Sequence, residues 1–210
     1  CWPVTSWAAI DGDGRRKPLW YSMRRSYRDR LLIIQPRDGG LALVVVNDSS
    51  ARWTANVEVN RNDVDGSVLA KSALELDIMP RGAVTLRLPD DVATAQDSTR
   101  EVVLAETGGD RAWWHFAEDV DAALPAPELD TRVDAVDGGY EVTVQAGTFV
   151  RDLGLLADRM AADAVVDEML VTLLPGESVV FRVSTAEHID PAALVDPLVL
   201  RSANQLLDPR

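Results

Sequence analysis

Apolar and polar residues alternate along most of this chain, the period of a half-buried strand. Residues 31–35, 41–47, 53–59, 68–77, 83–88, 100–106 and 112–116 all read this way. Turn chemistry separates them, at Asp38-Gly39-Gly40, 62–66, Pro80-Arg81-Gly82, Pro89-Asp90-Asp91 and Gly108-Gly109-Asp110. Seven short strands at this spacing predict a sandwich of immunoglobulin-like size. The prolines of Leu124-Pro125-Ala126-Pro127 then disfavour regular structure and predict a linker. A second set of strands follows at 131–136, 140–145, 149–156, 164–166, 170–174, 178–183 and 198–203, with one short helical turn at 191–194.

The first thirty residues break this pattern. Residues 4–10 read as a strand or extended segment and Asp11-Gly12-Asp13-Gly14 as a turn. Pro18 suits the first position of a helix predicted to run to Asp29, with Leu19, Trp20, Met23 and Tyr27 on one face. Arg24, Arg25 and Arg28 lie near its end, where cations suit the helix dipole. The segment is rich in tryptophan and too short for a core of its own, so it needs a partner surface. Docking on the first sandwich or pairing with a second copy of the chain is expected.

The two strand sets also resemble each other. Pro80–Leu88 aligns without gaps on Pro175–Val183, ninety-five positions on, and Gly40–Val45 aligns on Gly139–Val144, ninety-nine positions on. A period near a hundred residues is one sandwich domain, so the expected fold is mainly β, with two tandem immunoglobulin-like β-sandwich domains. The expected boundaries are 1–26 for the strand-turn-helix segment, 27–123 for the first sandwich, 124–127 for the linker and 128–210 for the second sandwich.

Composition narrows the function classes. A formal net charge of −13 offers no clustered Lys and Arg to neutralise phosphates, which argues against nucleic acid. The single cysteine, Cys1, rules out an internal disulfide framework and points to a reducing, cytoplasmic setting. No apolar run is long enough to span a membrane as a helix. The chain opens without an initiator Met inside the apolar stretch Cys1-Trp2-Pro3-Val4, as expected of a piece of a longer protein.

Catalytic chemistry is not evident. The thirty-four acidic residues fall mostly in turns such as Asp11-Gly12, Asp65-Gly66 and Asp137-Gly138, or on the polar side of strands. His115 and His188 have no second ligand at metal spacing, so neither a metal nor a cofactor is expected. Asp11-Gly12-Asp13-Gly14 begins like a calcium loop but lacks the later oxygen ligands. His115 stands in Trp113-Trp114-His115-Phe116, which reads either as a strand with alternate residues in the core or as a sugar-stacking surface.

Cys1-Trp2-Pro3-Val4-Thr5-Ser6-Trp7-Ala8-Ala9-Ile10-Asp11, with Gly14, Lys17-Pro18, Trp20-Tyr21 and Arg24, resembles a stretch of the β-mannosidases of glycoside hydrolase family two. In those enzymes the stretch closes the (β/α)₈ barrel. Asp167–Glu177 and Leu200–Asn204 look like their closing sandwich domain. The resemblance implies that residues 1–26 are the end of a catalytic barrel and that the parent enzyme hydrolyses terminal β-mannosides with retention. It places the nucleophile and the acid/base, the latter after an Asn, upstream of Cys1; this chain contains no Asn-Glu dipeptide. No catalytic residue is therefore expected here, and the chain alone should be inactive. Trp2 is the one candidate for substrate contact, because such barrels build their active sites at the C-terminal ends of strands; burial between barrel and helix is the alternative. The partner implied is the parent's own barrel. The alternative functions are a carbohydrate-binding module using Trp53, Trp113 or Trp114, and self-association through the sandwiches. An exposed parallel row of aromatics would favour carbohydrate binding.

Overall fold

The computed structural model describes residues 8–206 of the chain. Helix α1 (Pro18–Ser26) precedes two sets of strands. The first set is β1 (Arg30–Arg37), β2 (Gly40–Asn47), β3 (Trp53–Asp63), β4 (Val68–Ile78), β5 (Gly82–Arg87), β6 (Glu101–Thr107) and β7 (Asp110–His115), with helix α2 (Asp90–Ala93) between β5 and β6. The second is β8 (Leu129–Val136), β9 (Gly139–Ala146), β10 (Val150–Leu155), β11 (Val165–Val166), β12 (Val171–Leu173), β13 (Ser178–Ser184) and β14 (Leu200–Arg201), with helix α3 (Pro191–Leu194) before β14. The molecule is mainly β, as its alternation predicts. It divides into two compact units. One is Ser26–Ala123; the other joins the stretch ending at Arg25 to Leu124–Arg210.

In the unit Ser26–Ala123, antiparallel sheets β1-β2-β5 and β4-β3-β6-β7 form the sandwich. Alternate residues of the strands, among them Leu43, Val45, Val57, Val59, Val103 and Ala105, are fully buried in its core. Asp38 and Gly39 both take positive φ, so the β1–β2 connection has the twist of a tight hairpin turn. The alternation fails where the β3–β4 register shifts between Arg61 and Asn62, since both of these residues are buried. Arg61 pairs there with buried Glu101 and donates from Nε to the Asp91 carbonyl at 2.9 Å. The Glu101 carboxylate also accepts from the amides of Gln96 and Asp97, at 3.2 and 2.9 Å. A buried ion pair is tolerable only with its remaining hydrogen-bonding sites filled.

In the other unit the sheets are β11-β13-β9-β8 and β12-β10-β14. The internal repeat is visible in the pairing. β2 pairs with β5 in one sandwich and β9 with β13 in the other, and the register carries over. Val44 faces Thr85, and their counterparts at the two sequence offsets, Thr143 and Val180, face each other as well. Gly139 is obligatory at the start of β9. At φ +153 a side chain there would run into the Val183 carbonyl oxygen, 1.8 Å from where its Cβ would sit. Asn204, just past β14, donates to the carbonyls of Pro125 and Phe149 and accepts from the Arg151 amide, so one buried amide ties the 124–127 stretch to the C-terminal sandwich.

Three expectations need correction. The helix ends at Ser26, three residues short of Asp29, and leaves Tyr27 outside it and 80% exposed. Its inward residues are Trp20 and Tyr21, while Leu19 and Met23 are exposed. The segment packs on the C-terminal sandwich, more than a hundred residues away in sequence, and not on the first sandwich that it leads into. Smaller differences lie at strand ends. Pro89-Asp90-Asp91 opens α2 instead of a simple turn, and the last strand shrinks to Leu200–Arg201, followed by a 3₁₀ turn, Ala203–Leu206. Among the described residues the start of the chain forms no full strand; Ile10 and Arg16 make one bridge across the Asp11–Gly14 turn.

Candidate functional site

The best-defined polar constellation is the seat of α1. Tyr21, 2% exposed, enters the core that Val142, Val144, Leu155, Val166 and Phe181 line, and its hydroxyl donates to the Val166 carbonyl at 2.9 Å. Burial raises the Tyr21 pKa above the usual tyrosine value, against the opposing pull of Arg16 and Arg24. Trp20 meets the Tyr21 ring edge-on at 5.0 Å, with the guanidinium groups of Arg16 and Arg24 over its ring at 4.2 and 5.1 Å. One turn on, Arg24 and Arg25 each take one oxygen of the Glu168 carboxylate, at 2.7 and 2.8 Å. Arg25 also donates to the Met169 carbonyl at 2.6 Å and to the Leu170 carbonyl at 3.4 Å. Leu170 stands at φ +59, a left-handed conformation uncommon for a bulky residue, at the point where these two carbonyls meet Arg25. Guanidinium groups suit such a fork of carboxylate and carbonyl acceptors.

Beside Tyr21 lies a cleft of about 190 Å³, lined by Arg15, Arg16, Asp158, Val166 and Met169 among others. The Asp11 carboxylate orders the turn above it by accepting from the amides of Asp13 and Arg15, both at 2.9 Å, and from Arg15 Nε at 2.8 Å. These bonds, the Arg15 amide first, hold the Asp11 pKa below the ordinary carboxylate value.

Five carboxyls among the described residues are held below the ordinary value: Asp11 by Arg15, Asp65 by Ser67, Asp77 by Arg52, Asp97 by Thr99 and Asp163 by Thr185. A glycosidase general acid needs the opposite shift. Among the described residues no group of three or more His, Cys, Asp and Glu could hold a metal ion.

Trp2, the candidate for substrate contact, lies outside the described residues, as do Cys1 and Trp7. Trp53 is buried in the core of the first sandwich and offers no stacking surface. Trp114 packs on the same core from β7. Trp113 and His115 point to the other side of that edge strand, their rings 6.5 Å apart and within 18° of parallel. Both rings are half-buried.

The seat itself was not legible in advance. Arg24 and Arg25 read as dipole cations, and Glu168, 143 residues beyond Arg25, only as part of the Asp167–Glu177 segment that resembles a closing sandwich domain. The one available signal was an Arg-Arg pair ending a helix that had no core of its own.

Residues 124–206 match the Ig-fold domain found in mannosidases. A search of curated proteins finds no significant sequence match. Among solved structures the chain is similar to the β-D-mannosidase of Dictyoglomus thermophilum, with 20% identity and a TM-score of 0.75, over 96% of this chain and 24% of that one. The exo-chitosanase of Amycolatopsis orientalis matches at 13% identity and a TM-score of 0.59, over 94% and 28%. The chain thus spans about a quarter of the structures it resembles. The α1 seat includes Glu168 to Leu170, so the helix docks on the part of the chain that matches this domain. The C-terminal part of this chain thus matches a mannosidase Ig-fold domain, within a chain that has the fold of a stretch of a β-mannosidase.

Proposed function

We propose that this chain is the non-catalytic C-terminal region of a retaining β-mannosidase of glycoside hydrolase family two, an enzyme that hydrolyses terminal β-D-mannosides. Its sandwiches brace a catalytic barrel that precedes them in the same polypeptide. The observation that carries this reading is the mannosidase Ig-fold domain at 124–206, held in one compact unit with the segment that resembles the end of the barrel. The lack of an Asn-Glu dipeptide fits a region without the two catalytic glutamates. Trp2 is the residue of this chain proposed to reach substrate. The lone Cys1 supports a cytoplasmic setting.

A second reading, a sugar-binding sandwich, is favoured by the near-parallel Trp113 and His115 rings on β7. It is weaker because both rings are half-buried and Trp53 is in the core.

The test is to express this chain and the full reading frame it comes from, and to assay both on aryl β-mannosides and aryl β-glucosaminides. The full protein should hydrolyse the mannoside preferentially, and this chain should hydrolyse neither. Turnover by this chain, or a preference of the full protein for the glucosaminide, contradicts the proposal.

A further inference from the structure

The cleft beside Tyr21 joins an apolar wall to two charges that the fold leaves unused. Tyr21, Val166 and Met169 belong to the buried core and form the wall. Ala162 and Val165 also line the cleft and are exposed. Four charged side chains complete the lining. Arg15 and Asp13 neutralise each other at 2.9 Å, and Asp11 holds Arg15 as well. Arg16 and Asp158 differ from that pair. Among the described residues neither side chain makes an ion pair or a hydrogen bond. The Arg16 guanidinium lies 4.2 Å over the Trp20 ring, which fixes its plane and leaves its N–H edge open. Asp158 is half-buried in the 3₁₀ turn Ala157–Arg159, and its charge is felt at both Arg15 and Tyr21.

Size and charge together define the occupant. About 190 Å³ holds about six waters at roughly 30 Å³ each. It lies below the roughly 300–1,000 Å³ of sites for drug-sized ligands, so the cleft fits one small ring and not an oligomer or a peptide. An ionised carboxylate only accepts hydrogen bonds and a guanidinium only donates them. One of each, unpaired, calls for a ligand that both donates and accepts and has no net charge. A zwitterion meets that demand only by taking two ions out of water. The hydroxyls of a polyol each donate and accept, and its C–H groups suit an apolar wall.

We infer that this cleft binds a single sugar ring, with Asp158 accepting from its hydroxyls, Arg16 donating to them, and Val166 and Met169 against its C–H face. The site is separate from the Trp113 and His115 surface on β7, and it stands whatever the parent enzyme hydrolyses.

The test titrates this chain with D-mannose and follows amide resonances by NMR. Those of Ala162, Val166 and Met169 should shift together, with a Kd on the order of 1–10 mM, as a dozen non-hydrogen atoms allow. Glycine, a zwitterion, should leave them in place. Asp158→Asn should weaken mannose binding about tenfold or more, since a hydrogen bond to a charged group is lost. Ala162→Leu narrows the cleft without touching its charges and should weaken binding as strongly. Unmoved resonances of β9 and β13 in each variant show that the sandwich is intact. No shift up to molar mannose overturns the inference, as do shifts concentrated at Trp113 and His115. Binding that survives both substitutions, or glycine that moves the same resonances as strongly as mannose, overturns it too.

Discussion

The two compact units are built from the same strand plan but completed in different ways. Ser26–Ala123 is one continuous stretch, and the hydrophobic core of its sandwich comes entirely from that stretch. Its least ordinary feature is internal, the Arg61–Glu101 pair, whose further partners are Asp91, Gln96 and Asp97. The other unit is assembled from two stretches. Its core counts Tyr21 among its buried members, more than a hundred residues before the next one, Tyr140. The contrast teaches that the repeated sandwich plan does not by itself finish a core. β8 to β14 accept a helix from outside their own stretch, whereas β1 to β7 need none.

The largest effects should fall on the feature peculiar to each unit. Tyr21→Ala removes a buried aromatic ring and its hydrogen bond, and should destabilise the unit containing the C-terminal sandwich by about 3–5 kcal/mol. In chemical denaturation the transition of the first sandwich should stay in place. Arg61→Ala leaves Glu101 buried without its counter-charge and should cost about 3–5 kcal/mol, this time in the first sandwich alone. If either substitution moves both transitions equally, the division into two separately completed cores is wrong.

Asn204→Ala comes next. It strips the Pro125 and Phe149 carbonyls of a donor and the Arg151 amide of an acceptor, for a loss of about 1–3 kcal/mol from the C-terminal unit by thermal melting. Tyr21→Phe keeps the ring and loses the bond to Val166, so a cost of about 1 kcal/mol is expected. It also sharpens the comparison through pH. The folded Tyr21 pKa is raised, so its stabilising effect is complete below the usual tyrosine pKa and declines as pH rises through the folded value. The C-terminal unit should therefore lose stability in that alkaline range, and Tyr21→Phe should flatten the loss in urea titrations. Arg52→Ala, which breaks an exposed pair with Asp77 on the first sandwich, should leave the thermal midpoint of that unit almost unchanged.

Much of the fold was legible because alternation records which side of a strand is buried. Leu41 to Val45 and Val142 to Val144 read directly as core, and the Asp-Gly and Gly-Gly pairs read as turns. The repeat between Pro80–Leu88 and Pro175–Val183 recurs in the structure as equivalent pairings, β2 with β5 and β9 with β13. Legibility ended where a residue's role depends on a distant partner. Trp20 and Met23 share a helical face loosely enough that the pattern grouped them, but contact with Val166 and Glu168 decides which one turns inward. Glu168 looked like any other acid. The left-handed conformation at Leu170 falls on a bulky residue with no glycine, Asn or Asp signal, so no turn rule could mark it. Trp2, the one proposed substrate contact, is a reading of the resemblance alone.

The account stands or falls on α1 belonging to the C-terminal sandwich. The most direct test compares amide hydrogen exchange in this chain with exchange in a chain that begins at Ser26. Without α1, amides from 164–173 should lose protection, since Val166, Glu168, Met169 and Leu170 lose Tyr21, Arg24 and Arg25. Amides of β2, β3 and β6 should keep theirs. Unchanged protection at 164–173, or a loss concentrated in β2, β3 and β6, would contradict the account.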